Sequence, residues 1–232
     1  MSIEAPSRVS WSVRRERKAE RLAAAGPYAD AFGPYVNKDL KPYPHDVGRA
    51  KALLAEAGFK PGADGVLQKD GKRLAFSLMV DKGNPEREQI ARYTQQSWKQ
   101  LGADVKVDVE EWSVYIKRGN QIPSGDYDAR TSWRITSFDP DKTAEYTTGG
   151  VNNHYGYSNP EVDALMAKAR STMDEGARVA TFRKVQELIY RDAPLLWIYH
   201  QTEILAMSKR VKGYPDLSIR DALPWAHQIT VP

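Results

Sequence analysis

Residues 74–109, LAFSLMVDKGNPEREQIARYTQQSWKQLGADVKVDV, read as a strand, a helix and a second strand without interruption. Leu74, Phe76, Leu78 and Val80 alternate with Ala75, Ser77 and Met79, the two-residue period of a strand with one buried face. Asn84-Pro85 opens a helix, with asparagine as cap and proline at the first helical position. That helix runs to about Leu101, buries Ile90, Trp98 and Leu101, and stops at Gly102. Val105, Val107 and Val109 then share one face of a second strand, with charges on the other. Strand, helix and strand in this order make a βαβ unit, so the two strands are expected to be parallel with a right-handed crossover. The alternation predicts a sheet covered on one side only.

Upstream, Asp46 caps a helix whose Val47, Ala50, Leu53, Leu54 and Ala57 form an apolar stripe, and Gly58 is placed to end it. VLQKDGKRLAFSLMV, residues 66–80, predicts a hairpin turning at Asp70-Gly71 and continuing as one strand to Val80. GPYADAFGPYVNKDLKPYPHD, residues 26–46, contains four prolines and cannot be a continuous helix or a central strand. It reads as an extended linker laid over a surface, with its tyrosines beneath. Downstream, WSVYIKRGNQ predicts a short helix and YDARTSW a strand entering a polar loop. Helices follow at 160–173 and 177–192, both expected to pack on the sheet. LLWIYHQTEILAMSKRVKGY, residues 195–214, is apolar and β-prone, and reads as two strands.

The chain has 232 residues, of which 41% are hydrophobic and 28% charged, a soluble globular balance. No apolar run approaches the roughly 20 residues of a spanning helix, and no apolar core of a signal peptide stands in residues 1–22. The absence of cysteine excludes disulfides, thiolate metal sites and a cysteine nucleophile. Net charge is +4, yet residues 1–25 carry six basic groups against Glu4, Glu16 and Glu20, so the remainder is nearly neutral. A nucleic-acid partner would call for a basic stripe across the folded body; none is expected here, and the basic segment reads as a solvated N-terminal helix. His45, His154, His200 and His227 stand far apart, outside any metal-ligand spacing, and neither a P-loop, a dinucleotide fingerprint nor a nucleophile elbow occurs. No metal and no cofactor is expected.

Between Tyr127 and Tyr157 the chain concentrates Trp133, Arg134, Phe138, Tyr146, Asn152, Asn153, His154, Tyr155 and Tyr157 in a turn-rich stretch. Aromatic rings supply contact area, while Arg and Asn supply directional donors, which is the composition of a ligand-contacting loop. The same residues also suit a second role, in which Trp133, Tyr155 and Tyr157 are core plugs under a long connection. Composition alone leaves both open.

The order of motifs resembles the family 5 extracellular solute-binding proteins, the peptide/nickel/opine-binding receptors of ABC importers. YPHDVGRAKALLAEAGF is similar to that family's "Y-x-x-D-x-x-x-A-K-x-L-L-x-E-A-G" segment, and LGADVKV, YDARTSW with FDP, NNHYGYSNPEVDALMAKA and APLLWIYH follow in the family's order over roughly 26–213. The resemblance implies an α/β, type II periplasmic-binding-protein-like C-terminal lobe, a mixed sheet flanked by helices. It implies residues 1–45 as a basic segment and linker from a first lobe, 46–200 as the solute-binding second lobe, and 201–232 as a return toward the first. In peptide-binding members an Asp three residues after the loop tryptophan accepts the peptide's ammonium group; here Trp133 is followed by Thr136 at that place. Nickel-binding members carry a Tyr four residues on, where this chain has Ser137. Arg134 adds a cation suited to a carboxylate or other anion.

The leading expectation is thus a non-enzymatic, periplasmic receptor lobe that captures a peptide, opine or related anionic solute for an ABC permease. Its expected ligand wall is Trp133, Arg134, Thr136, Ser137, Asn152 and Asn153. Two alternatives are a small α/β hydrolase using Asp139, Asp141 or His154, and a non-binding module that self-associates through the apolar residues of 195–208.

Overall fold

The computed structural model describes residues 11–13, 22–121, 127–134, 139–200, 206–214 and 227–231. Two short strands, β1 (Trp11–Val13) and β2 (Leu22–Ala23), precede α1 (Val47–Glu56). β3 (Lys60–Pro61), β4 (Leu67–Lys69) and β5 (Lys72–Arg73) form a small antiparallel sheet. β6 (Ala75–Asp81), α2 (Pro85–Gln100) and β7 (Asp104–Glu110) make the expected βαβ unit. Beyond it lie α3 (Trp112–Gly119), β8 (Ala129–Arg130), α4 (Thr143–Tyr146), α5 (Pro160–Ser171), α6 (Glu175–Asp192), β9 (Tyr199–His200) and β10 (Ala206–Ser208).

β6 and β7 are parallel and in register from Ala75 opposite Asp104 to Asp81 opposite Glu110. β8 joins the other side of β6, also parallel, giving the order β7-β6-β8. Asn84 caps α2 by accepting from the Arg87 amide, with Pro85 behind it. Leu78, Val80, Ala91, Ala103 and Val105 form one core, lined by Phe76 and Trp98. Met79 and Asp81, on the opposite face of β6, are buried as well, and α3 packs on β6 with Tyr115 sealed from solvent. The one-sided sheet predicted from alternation is therefore corrected. Met79 is as apolar as the residues it alternates with, so polarity along β6 understates the second face.

The hairpin turns at Asp70 and Gly71, both with positive φ (52° and 76°), the paired left-handed conformation of a tight two-residue turn. Its second strand does not continue unbroken to Val80. At Leu74 the chain changes partners: its amide donates back to the Leu67 carbonyl at 2.6 Å, while its own carbonyl accepts from the Asp104 amide at 2.9 Å. One residue thus couples the small sheet to the parallel one.

α5 and α6 pack on each other rather than entering the core beneath the parallel sheet. Val162, Met166, Phe182, Val185 and Ile189 join Tyr146 of α4 and Tyr28 and Val36 of the proline-rich segment in a second core, to which no residue of the parallel sheet contributes. The apolar counterface comes from the segment itself. Tyr35 meets Phe182 edge-on at 5.9 Å, and Tyr43 stacks on Tyr190 at 4.4 Å. Gln186, buried in α6, accepts from the Asn37 amide at 3.0 Å and donates to the Tyr35 carbonyl at 2.7 Å. Backbone groups that have no ladder are satisfied in this way by one side chain. The segment's tyrosines lie beneath it, as expected, but it is not the extended linker of the sequence reading: Asp30–Tyr35 coil into a 3-10 helix, and the segment belongs to the core as well.

The basic residues behind the predicted N-terminal helix lie outside the described residues; those described on either side of them are strands. β1 pairs antiparallel with β10, and β2 with β9. A partner strand overrides weak helical propensity, because it supplies the hydrogen bonds that an isolated terminal turn lacks. The two strands expected in 195–214 are present as β9 and β10. Leu195 and Trp197 pack on the second core, whereas Leu196 and Ile198 are exposed. Among the described side chains of this apolar stretch, Leu196 and Ile198 are thus the exposed ones; Ile204, Leu205 and the side chain of Met207 lie outside the described residues.

Candidate solute-binding face

β6, β7 and β8 end together at Asp81, Glu110 and Arg130, and the segments leaving those ends carry the candidate residues. In open parallel sheets ligands bind beyond the carboxyl ends of the strands. Trp133, just past β8, is 44% exposed, so it is not a sealed core plug. Its ring lies 5.5 Å from that of Trp112, itself 48% exposed at the start of α3, and Trp112 stacks on the buried Tyr115 at 5.8 Å. The Arg87 guanidinium sits 4.1 Å from the Trp133 ring centroid. Arg87 donates through Nε and Nη2 to the two carboxylate oxygens of Asp81, the last residue of β6.

Arg134 is exposed and donates to the Asn152 backbone carbonyl at 3.0 Å. The structure thus brings Trp133, Arg134 and Asn152 together. Asn153 is drawn away from them: it is 3% exposed, its amide donates to the carbonyls of Thr147 (2.9 Å) and Tyr157 (2.6 Å), and its Oδ1 accepts from the Tyr157 amide (3.0 Å). The expectation that Asn153 lines the wall is corrected, because a short side chain with both donors and an acceptor is held inside the loop it closes. Thr136 and Ser137 lie outside the described residues.

Three residues of this face escape the sequence reading: Trp112, Arg87 and Arg130. Arg130 extends over the rings of Tyr115 and Tyr127, at 5.8 and 5.7 Å. Gly119 makes room for it, since a Cβ there would stand 1.8 Å from Arg130 Nη1. Treating the end of the βαβ unit as the ligand end would have singled out Trp112, directly after β7; no local signal marks Arg87 or Arg130.

His154 is 7% exposed, and its Nδ1 has no hydrogen-bond partner among the described residues. Burial, and then the charges of Arg134 and Arg130, hold its pKa below the ordinary histidine value, which favours the neutral ring. Tyr155 and Tyr157 pack on the second core, their hydroxyls donating to the Glu145 carbonyl at 2.6 Å and to Asp192 at 2.8 Å. Of the two roles left open by composition, the core-plug role falls to Tyr155 and Tyr157, while Trp133 is accessible. Asp139 pairs with Arg178 at 3.0 Å and Asp141 with Arg170 at 3.5 Å, which ties the hydrolase candidates into ion pairs. Among the described residues no group of three His, Asp or Glu side chains is arranged to hold a metal ion.

Exposed indoles and arginines at the ends of parallel strands can stack on a solute and hydrogen-bond an anion, the equipment of a binding lobe. Residues 18–155 match the bacterial extracellular solute-binding proteins, family 5, middle region, and the chain belongs to that family. It is 33% identical over 181 residues to the oligopeptide-binding protein AppA of Bacillus subtilis, covering 76% of this chain and 33% of that protein. Heme-binding protein A of Haemophilus influenzae is 28% identical over 198 residues, covering 83% of this chain and 34% of that protein. The structure of AppA from Bacillus subtilis in complex with a nonapeptide aligns with a TM-score of 0.80 at 29% identity, over 92% of this chain and 43% of that one. The chain spans about a third of the length of these two curated relatives. Its α/β architecture is that of a periplasmic binding protein over part of the length. Among the described residues no helix is long and apolar enough to cross a membrane.

Proposed function

We propose that this chain is the solute-contacting second lobe of an ABC importer's receptor, working in the periplasm on a peptide or a related anionic compound such as an opine. The observation that carries the reading is the accessible Trp133 indole beside Arg134 at the carboxyl ends of β6 and β8. Similarity to an oligopeptide-binding protein supports a peptide. In this reading Trp133 and Trp112 give flat apolar area to the solute, and Arg134 receives a carboxylate. Asn152, Thr136 and Ser137 add short polar contacts, while Asn153 shapes the loop. A first lobe closes over this face by a hinge motion, and the closed form docks on the permease. In this reading residues 1–45 lead in from that lobe and residues 201–232 return toward it.

Calorimetric titration with the tripeptide Ala-Ala-Ala and with its C-terminal amide tests the proposal. The free acid binds more tightly, and Trp133→Ala weakens its binding by about 2 kcal/mol while the melting temperature stays close to wild type, since a half-exposed indole leaves no buried cavity. Equal affinities for acid and amide, together with an indifferent Trp133→Ala, overturn it.

A further inference from the structure

We infer that Arg87 is a positioning residue that sets the orientation of the Trp133 indole; as a role in solute capture it rests on the reading of Trp133 as a solute contact. Asp81 closes β6 and Arg87 lies in the first turns of α2, so the strand and the helix of one βαβ unit present the pair. Nε and Nη2 reach the two carboxylate oxygens separately, and this side-on pairing fixes the plane of the guanidinium. Both side chains are largely withdrawn from water, at 4% exposure for Asp81 and 16% for Arg87, so salt screens them little. Trp133 belongs to a stretch, residues 131–134, with neither helix nor strand, so its side chain takes its bearings from what flanks the ring. Among the described residues, the Arg87 guanidinium and Trp112 flank it. An indole held in one orientation loses less freedom when a solute arrives. Lysine keeps the charge but has no planar group to stack.

The test uses Arg87→Lys, and the double variant Asp81→Asn/Arg87→Gln, which replaces the ion pair by neutral hydrogen-bonding groups. Acrylamide quenching of the Trp133 fluorescence is read as the difference between each protein and its Trp133→Phe counterpart, with near-UV circular dichroism as the check on packing. Arg87→Lys is expected to raise quenching of the Trp133 component and to weaken Ala-Ala-Ala binding by up to about tenfold, with packing elsewhere intact. Unchanged Trp133 quenching in both variants overturns the proposal. A wild-type chain that binds no tripeptide instead overturns the solute reading, and the quenching data then decide by themselves whether Arg87 orients Trp133.

Discussion

Asn152 and Asn153 are neighbours with opposite environments. Arg134 uses the backbone carbonyl of Asn152, whereas the whole amide of Asn153 is engaged inside the loop. Asn153→Ala leaves the Tyr157 carbonyl and amide without this partner, and leaves the Thr147 carbonyl with the Gly150 amide alone. A loss of about 1–3 kcal/mol in denaturant titration is expected. Asn152→Ala keeps the carbonyl and should stay within about 0.5 kcal/mol of wild type. Composition placed both residues in one candidate loop, but nothing in an Asn-Asn pair says which one turns inward. Trp133 is similar: its presence among aromatics was readable, and its accessibility follows from the course of the chain after β8.

Where α6 ends, Asp192 places a carboxylate at the negative pole of the helix, an unfavourable position by itself. Burial also pushes its pKa upward, but hydrogen bonds from the Tyr157 hydroxyl (2.8 Å), the Asn159 amide (2.6 Å) and Arg191 Nε (3.0 Å) outweigh that and hold it below the ordinary 3.8. Asn159 also caps α5, so this carboxylate fastens the end of one helix to the start of another. A carboxyl depressed in the folded state contributes stability above its unfolded pKa and loses it as the pH falls through the folded value. Asp192→Asn should therefore lower the melting temperature at neutral pH, and its gap to wild type should close below pH 3.8. A gap that persists there would assign the effect to packing. The existence of α5 and α6 was legible from Asn159-Pro160 and the apolar spacing. Their packing partner was not, because a helical stripe identifies an apolar face without naming its counterpart.

Across the molecule, one buried and one half-buried histidine give stability a common pH dependence. His154 lies in the loop beside Arg130 and Arg134. His200 lies in β9, where burial depresses its pKa more than Asp30 and the Gly26 backbone raise it. Both are held below 6.5 in the folded state, so below that pH the unfolded chain takes up protons that the folded chain does not. Their contribution is complete above pH 6.5, declines as the pH falls toward the folded values, and then levels off. Melting temperatures across this range should fall on acidification, and His154→Gln should make the slope shallower. An unchanged slope would mean that the His154 ring titrates as it does in the unfolded chain. His200 also shows how distant parts of the chain cooperate, since β9 pairs with β2 from the other end of the molecule.

Sequence alone determined what is local: the βαβ unit with its caps, the Asp70-Gly71 turn, the helices, the tyrosine-backed proline segment, and the motif order that belongs to a solute-binding family. Alternation and capping act within a few residues, so they can be read from spacing. Tertiary structure alone decided which surface covers each element. It placed α3 against β6 and the proline-rich segment under α6, changed the partner at Leu74, and drew Asn153 inside. It also assembled Arg87, Trp112 and Trp133 from three different strand ends. Periodicity fixes which side of an element is apolar; what lies against that side depends on residues far apart in the chain, whose meeting leaves no local mark.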